Sequence, residues 1–372
     1  MFKSSSRKKI TKGVSLLLCL WLAMATLGGC ASKTSTTSTP ADPNTRVITD
    51  MAGRQVAIPV KVNTVYCAVP TAEAMVYTLA PEKMAAWVNA PSEDAMKYLG
   101  DRAKALPVMG GWMGEKCTAN LEEITRLAPD LIVFMSPVDD SAKQNAESIT
   151  AQTKRPVVVM DSKLPETARM YRLMGDILGV QERAEKLAGY YEKKINAVNE
   201  MVAKIPEDKR VRVYYAEGTG GLATDPSGST HTELLDLVRG VNVANVQAKS
   251  GQGMSSVSME QVLSWNPEVI LVSSSTGGDK NYQTILTDPS WSQVNAVKNG
   301  KVYMTPLNPF GWFDRPPNIM RIIGMQWLGN VLYPEYVKLD LNQEVKEFFA
   351  LYYNQNLTDE QVKELLKNAI PK

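Results

Sequence analysis

Histidine is nearly absent: His231 is the only one in 372 residues. Imidazole is the usual metal ligand and the usual general base at neutral pH, so one copy excludes a multi-histidine metal centre and leaves little for acid–base catalysis. Cysteine is scarce as well, four in all, and none stands in C-x-x-C spacing. No G-x-S-x-G elbow occurs, and the one phosphate-loop-like stretch, Gly218–Gly221, lacks the Lys-Ser/Thr pair that gives such loops their function. A metal-dependent enzyme therefore ranks behind a binding protein. Charge of one sign is missing too. The chain has 41 basic and 39 acidic residues, and losing residues 1–29 removes five basic ones to leave a net −3. Nothing in this balance favours nucleic acid.

The N-terminus holds the one long apolar run. Lys3, Arg7, Lys8, Lys9 and Lys12 precede the stretch Val14–Leu27. That run falls short of the roughly 20 residues needed to span a bilayer, and a basic start with small residues at the end marks an export signal. Leu27-Gly28-Gly29-Cys30 resembles the lipobox of bacterial lipoproteins, in which the cysteine is diacylated and becomes the first residue. Residues 1–29 are then a signal peptide. The Ser/Thr/Pro-rich residues 30–45 are a flexible tether. Beyond Cys30 only Cys67 and Cys117 remain, able to form one disulfide outside the cytoplasm or to stay as two thiols; spacing does not decide.

The body of the chain carries a duplication. NLEEITRLAPDLIVF (residues 120–134) aligns without gaps to SMEQVLSWNPEVILV (258–272). Asn120 and Ser258 are N-cap types with Glu123 and Gln261 three positions on, Pro129 and Pro267 stop each helix, and short apolar strands follow. The flanks repeat strand and helix as well: NTVYCAV and VRVYYAE open the halves, RPVVVMD and GKVYMTP close them. Alternation of this kind predicts an α/β fold of two doubly wound lobes with parallel sheets. Between them Ala184, Leu187, Tyr191, Ile195, Val198 and Val202 recur at helical spacing from Gln181 to Ile205, ahead of Pro206. The expected organisation is a first lobe at 46–165, one long linking helix at 166–206, and a second lobe with terminal helices at 207–372.

The lipobox, the opening TDMAGRQVAIP, the paired NLEEITRLAPDLIV and SMEQVLSWNPEVIL segments and the linking helix together resemble the substrate-binding proteins of ABC importers. The subgroup is the helical-backbone one serving iron–siderophore, haem and cobalamin uptake, and the likeness covers essentially residues 46–370. It implies a monomer anchored by lipid on the outer side of the cell membrane. Such a protein holds no permanent cofactor and hands a small-molecule metal chelate to an ABC permease dimer. A ferric siderophore is the first ligand class; haem, cobalamin and a nickel or cobalt chelate are alternatives. The resemblance also implies one docking glutamate per lobe, and the repeat selects Glu122 and Glu260, with neighbouring Glu123 as the rival in the first lobe.

Ligands of open α/β sheets bind beyond the carboxyl ends of the strands. That rule brings Met109–Cys117, Glu217–Gly221, Ser229–His231 and Asn308–Pro317 to one cleft. Trp112, Trp312 and Phe313 stand on its loops as candidate aromatic faces. Lys116 and Arg315 are candidate partners of anionic groups. His231 is a candidate ligand contact, and Tyr215 is assigned to the cleft edge by strand alternation. The alternatives are core packing for the aromatic residues and, for Arg315, an internal salt bridge with Asp314 or another acid. A Cys67/Cys117/His231 site for a bare soft metal has no spacing to support it.

Overall fold

The computed structural model describes residues 43–113, 116–248 and 253–371. Cys30, with the signal and the tether up to residue 42, lies outside them. The described chain opens with an antiparallel hairpin, Thr45–Thr49 against Gln55–Pro59. Asp50 in its turn is 1% exposed. One carboxylate oxygen accepts the amides of Ala52 and Arg54, and the other accepts the amide of Val159. The Asp-x-x-x-Arg turn thus pins the hairpin to the first sheet, which gives the TDMAGR segment a physical role.

That sheet has three parallel strands in chain order, Val65–Cys67, Leu131–Ser136 and Val157–Asp161. The second sheet is also parallel, in the order Val241–Asn242, Arg212–Ala216, Val269–Val272, Val302–Met304. Strands covered on both faces read as continuous apolar runs, as LIVFM and VILV do. The repeat is visible in detail. Helix Leu121–Leu127 is capped by the Asn120 side chain and stopped by Ala128 at φ 51°; helix Met259–Trp265 is capped by Ser258 and stopped by Asn266 at φ 42°. Only the second completes the reciprocal box, because Glu123 turns to Arg126 instead.

Residues 166–206 hold a helix pair rather than one helix. Thr167–Leu178 ends at Gly179, and Gln181–Val202 then runs for 22 residues, about 33 Å. The long helix is tied to both ends of the chain. Arg183 donates to Thr78 O of the first lobe and to Tyr352 O of helix Leu341–Tyr353, and Tyr352 donates to Leu187 O. The sequence reading places the terminal helices with the second lobe, yet the aromatic face of Leu341–Tyr353 also lies on the first: Tyr98 meets Phe349 at 5.8 Å and Tyr77 meets Tyr353 at 6.5 Å. That stripe finds its apolar partner there.

One core therefore runs from the first sheet through the helix pair to the terminal helices. A smaller core covers the far face of the second sheet. Strand Arg212–Ala216 separates them, with Val213 and Tyr215 on the large core and Tyr214 and Ala216 on the small one. Among the described residues no helix is long and apolar enough to cross a membrane.

Candidate functional site

The carboxyl ends of the two sheets meet across a cleft floor that can be traced residue by residue. Ser162 and Leu164 follow the last strand of the first sheet. Arg321, at the head of helix Arg321–Leu332, donates to Ser162 O at 2.6 Å and to Glu233 Oε2 at 2.7 Å. Glu233 Oε1 accepts the Leu164 amide at 3.2 Å. Farther along, Trp87 of the first lobe packs against Phe310 of the 308–317 loop, with ring centroids 6.2 Å apart.

Among the described residues, the first-lobe side is aromatic. Trp112 is half-buried, hydrogen-bonds through its amide to Ala68 O at 2.8 Å, and sets its ring edge against Tyr66 at 6.4 Å. Its indole Nε1 has no partner among the described residues. The loop can turn here because of Gly110: its φ is +76°, and a Cβ would lie 1.8 Å from Thr118 O. Behind the loop lies Glu73, 4% exposed, which accepts the Val88 amide. Burial pushes its carboxyl up to about 8, against the opposing pull of that hydrogen bond, so it is largely neutral at pH 7.

The second-lobe side is a knot of buried charge. Glu217 directly follows strand Arg212–Ala216 and is 0% exposed. Its Oε1 accepts Arg315 Nε, and Asp225 Oδ2 accepts Arg315 Nη2. Asp314 Oδ2 lies 2.7 Å from His231 Nδ1. Arg315 adopts φ 64°, an unusual conformation for a non-glycine residue, with its guanidinium held by these acids. Burial raises Glu217 to about 7, while Arg315 pulls it back. Burial alone would lower His231, but the hydrogen bond to Asp314 and its charge outweigh that and the net shift is upward. Arg315 likewise loses to burial and gains more from Glu217, so it stays a cation.

Several expectations from the sequence need correction. Trp312 and Phe313 are 0% and 1% exposed and face the core, not the cleft. Trp312 packs toward Phe349 and donates from Nε1 to Asn308 O, and its carbonyl crosses helix Arg321–Leu332 where a Cβ on Gly324 would lie 1.9 Å away. Phe313 lies 4.6 Å from Tyr215, and Tyr215, 1% exposed, points into the large core. The alternation argument correctly split Tyr214 from Tyr215, but both faces of this sheet are covered. Arg315 takes the internal-salt-bridge alternative, its guanidinium held by Glu217 and Asp225. His231 is bound to Asp314, and its side chain is 13% exposed. The backbone of Lys116 pairs with Met113, but its side chain lies outside the described residues. Cys67 and Cys117 are free thiols, one buried and one exposed. Among the described residues no group of three His, Cys, Asp or Glu side chains is arranged to hold a metal ion.

Sequence reasoning missed Glu73, Asp225 and the role of Glu217. An acid immediately after an apolar strand, as in VYYAE, was the available signal for Glu217.

Comparison with known proteins fixes the family. A model described as periplasmic binding protein matches residues 83–309. The chain belongs to the periplasmic binding protein family. An ABC transporter solute binding protein from Sulfurospirillum deleyianum superposes with a TM-score of 0.80 at 30% identity, covering 87% of this chain and 99% of that one. A molybdate-binding protein of Haemophilus influenzae is 26% identical over 83% of this chain and 91% of its own length. An iron-uptake system-binding protein of Bacillus subtilis is 25% identical over 80% and 92%. The family comprises two-lobed substrate-binding proteins of ABC transporters, which bind and deliver but are not enzymes. A groove of about 1050 Å³ beside strand Val302–Met304 contains none of the candidate residues and is separate from the cleft described here.

Proposed function

We propose that this chain is the lipid-anchored, extracytoplasmic binding protein of an importer for a chelated metal, with a ferric siderophore as the first ligand class. The observation that carries the reading is the absence, among the described residues, of any side-chain set that could hold a bare ion. Trp112 and the polar second-lobe loops stand beside the cleft floor. An organic chelator supplies the metal's ligands, and the protein supplies shape, an aromatic face and hydrogen bonds. Anchoring rests on Cys30. Delivery rests on Glu122 and Glu260, both exposed and both at the second position of their matched helices. Hydrogen bonds from Ser258 and the backbone hold Glu260 below the usual carboxylate range, ready for a cationic partner.

An oxyanion, the cargo named for the Haemophilus relative, is the second reading. It fits less well, because Glu217, Asp225 and Asp314 crowd Arg315 with like charge for any anion. Native mass spectrometry of protein purified from its own host, with metal analysis, separates these readings. A metal-bearing organic adduct is expected. A molybdate-sized adduct would favour the oxyanion, and a bare metal ion bound one to one would end the chelate reading.

A further inference from the structure

We propose that the second-lobe half of the cleft selects a neutral or cationic chelate that presents N–H or O–H donors, and rejects one with net negative charge. The inference deepens the binding-protein reading and rests on it.

The charges do not balance in favour of an anion. Glu217, Asp225 and Asp314 are 0%, 1% and 4% exposed, and among the described residues the cations paired with them are Arg315 and His231. With His231 protonated and all three acids ionised, one negative charge is in excess; with His231 neutral, two. Both acids that hold Arg315 do so by direct hydrogen bonds, so an anion approaching the guanidinium meets two buried carboxylates.

The hydrogen-bond inventory points the same way, independently of charge. Glu217 Oε2 and Asp314 Oδ1 are buried and have no partner among the described residues. A buried acceptor without a donor is costly, and a donor group relieves it. An ionised carboxylate only accepts, so with Glu217 ionised the group that satisfies these oxygens carries hydrogens. Surplus acceptors beside surplus negative charge fit an ammonium, an amide N–H or a hydroxyl. An arriving anion would meet like charge in a poorly screened site.

The ionisation of Glu217 gives a second signature. Burial holds its carboxyl at about 7, with Arg315, Asp225, Asp314 and Tyr215 as the groups around it. A cationic ligand favours the ionised form and expels the proton. Its affinity therefore rises as pH rises from 6 to 8, whereas a neutral ligand shows little change.

The test is titration calorimetry on the full chain with a charge series at pH 6 and 8. The probes are a linear ferric trihydroxamate ending in a free ammonium, the same chelate acetylated on that nitrogen, a ferric tris-catecholate with three negative charges, and molybdate. The ammonium chelate is expected to bind about tenfold more tightly than its acetylated form, and the tris-catecholate about a hundredfold more weakly than either. Glu217→Gln should bring the ratio of the first two towards one and flatten the pH dependence. The comparison of wild-type affinities needs no variant, so it stands even where Glu217→Gln fails to fold. A tris-catecholate or molybdate that binds best, or equal affinities across the series, overturns the charge assignment while leaving the binding-protein reading intact. Failure of every chelate to bind overturns both.

Discussion

The two halves of the cleft grow from one strand–helix repeat and end in opposite chemistry. On the first side, a glycine turn carries Trp112 over Tyr66, and burial raises the carboxyl of Glu73 behind that turn to about 8. On the second, three buried acids hold an arginine and a histidine. The scaffold is shared down to the left-handed stops at Ala128 and Asn266, whereas the loops beyond the strands are not. Duplication preserved what the sheets need and left the strand-end loops to diverge, which is where ligands meet this fold. The difference also assigns energetic roles. Charges buried on the second side have to stay paired, so that side is rigid. Among the described residues the first side has no such network around Trp112 and tolerates change.

The largest expected effect tests that rigidity. Arg315→Ala leaves Glu217 and Asp225 buried without their cation and should cost about 3–5 kcal/mol of folding stability. Urea denaturation measures it, and a loss below about 1 kcal/mol would mean that the knot is looser than described. Two tryptophans then make the contrast within one residue type. Trp312→Ala should cost about 3–5 kcal/mol, as a core residue does. Trp112→Phe should cost under about 1 kcal/mol yet weaken ligand-induced fluorescence quenching. Quenching that depends on Trp312 instead would reverse their roles.

A smaller effect separates the halves by pH. Glu73 has its carboxyl raised from 4.5 to about 8 in the folded chain. Between those values the native state holds a proton that the unfolded state has released. Stability therefore falls as pH rises through that window, by about 1.4 kcal/mol per unit for this group, and levels off above it. Glu217 acts in the same direction up to about 7. His231, raised by Asp314, adds stability that is fully present below its unfolded value and is lost as pH rises through its folded one. Glu73→Gln should flatten the slope and make the chain more stable than wild type at pH 9. A chain whose stability rises from pH 5 to 8 contradicts all three assignments. The smallest effect on stability is expected from Glu122→Ala with Glu260→Ala. Both side chains are exposed, so melting and ligand affinity should be unchanged while import into cells is lost; normal import would reduce the pair to helix-terminal carboxylates.

The scaffold was legible in the sequence because local chemistry writes it directly. Caps, proline stops and uninterrupted apolar strands located the parallel strands and the paired helices to within a few residues. The cleft was half legible. Gly110 announced the Trp112 loop, but Trp312 sits behind a similar-looking glycine and is buried, since only the approach of Gly324 and Phe349 decides where that ring goes. Such contacts join residues far apart in the chain and leave no local signature. The same holds for Arg315, whose partners Glu217 and Asp225 lie 98 and 90 residues away. Tyr215 was misassigned because alternation distinguishes the two faces of a sheet but does not say whether either face is open.

Equilibrium dialysis of the purified protein, with metal analysis of the retained fraction, tests the central claim most directly. The comparison is between ferric ion held only by a weak buffer ligand, the ferric trihydroxamate chelate, and molybdate. Retention of the intact chelate at one per chain, with neither the bare ion nor molybdate retained, is the predicted result. Retention of bare metal that disappears when Cys67, Cys117 or His231 is replaced would contradict it.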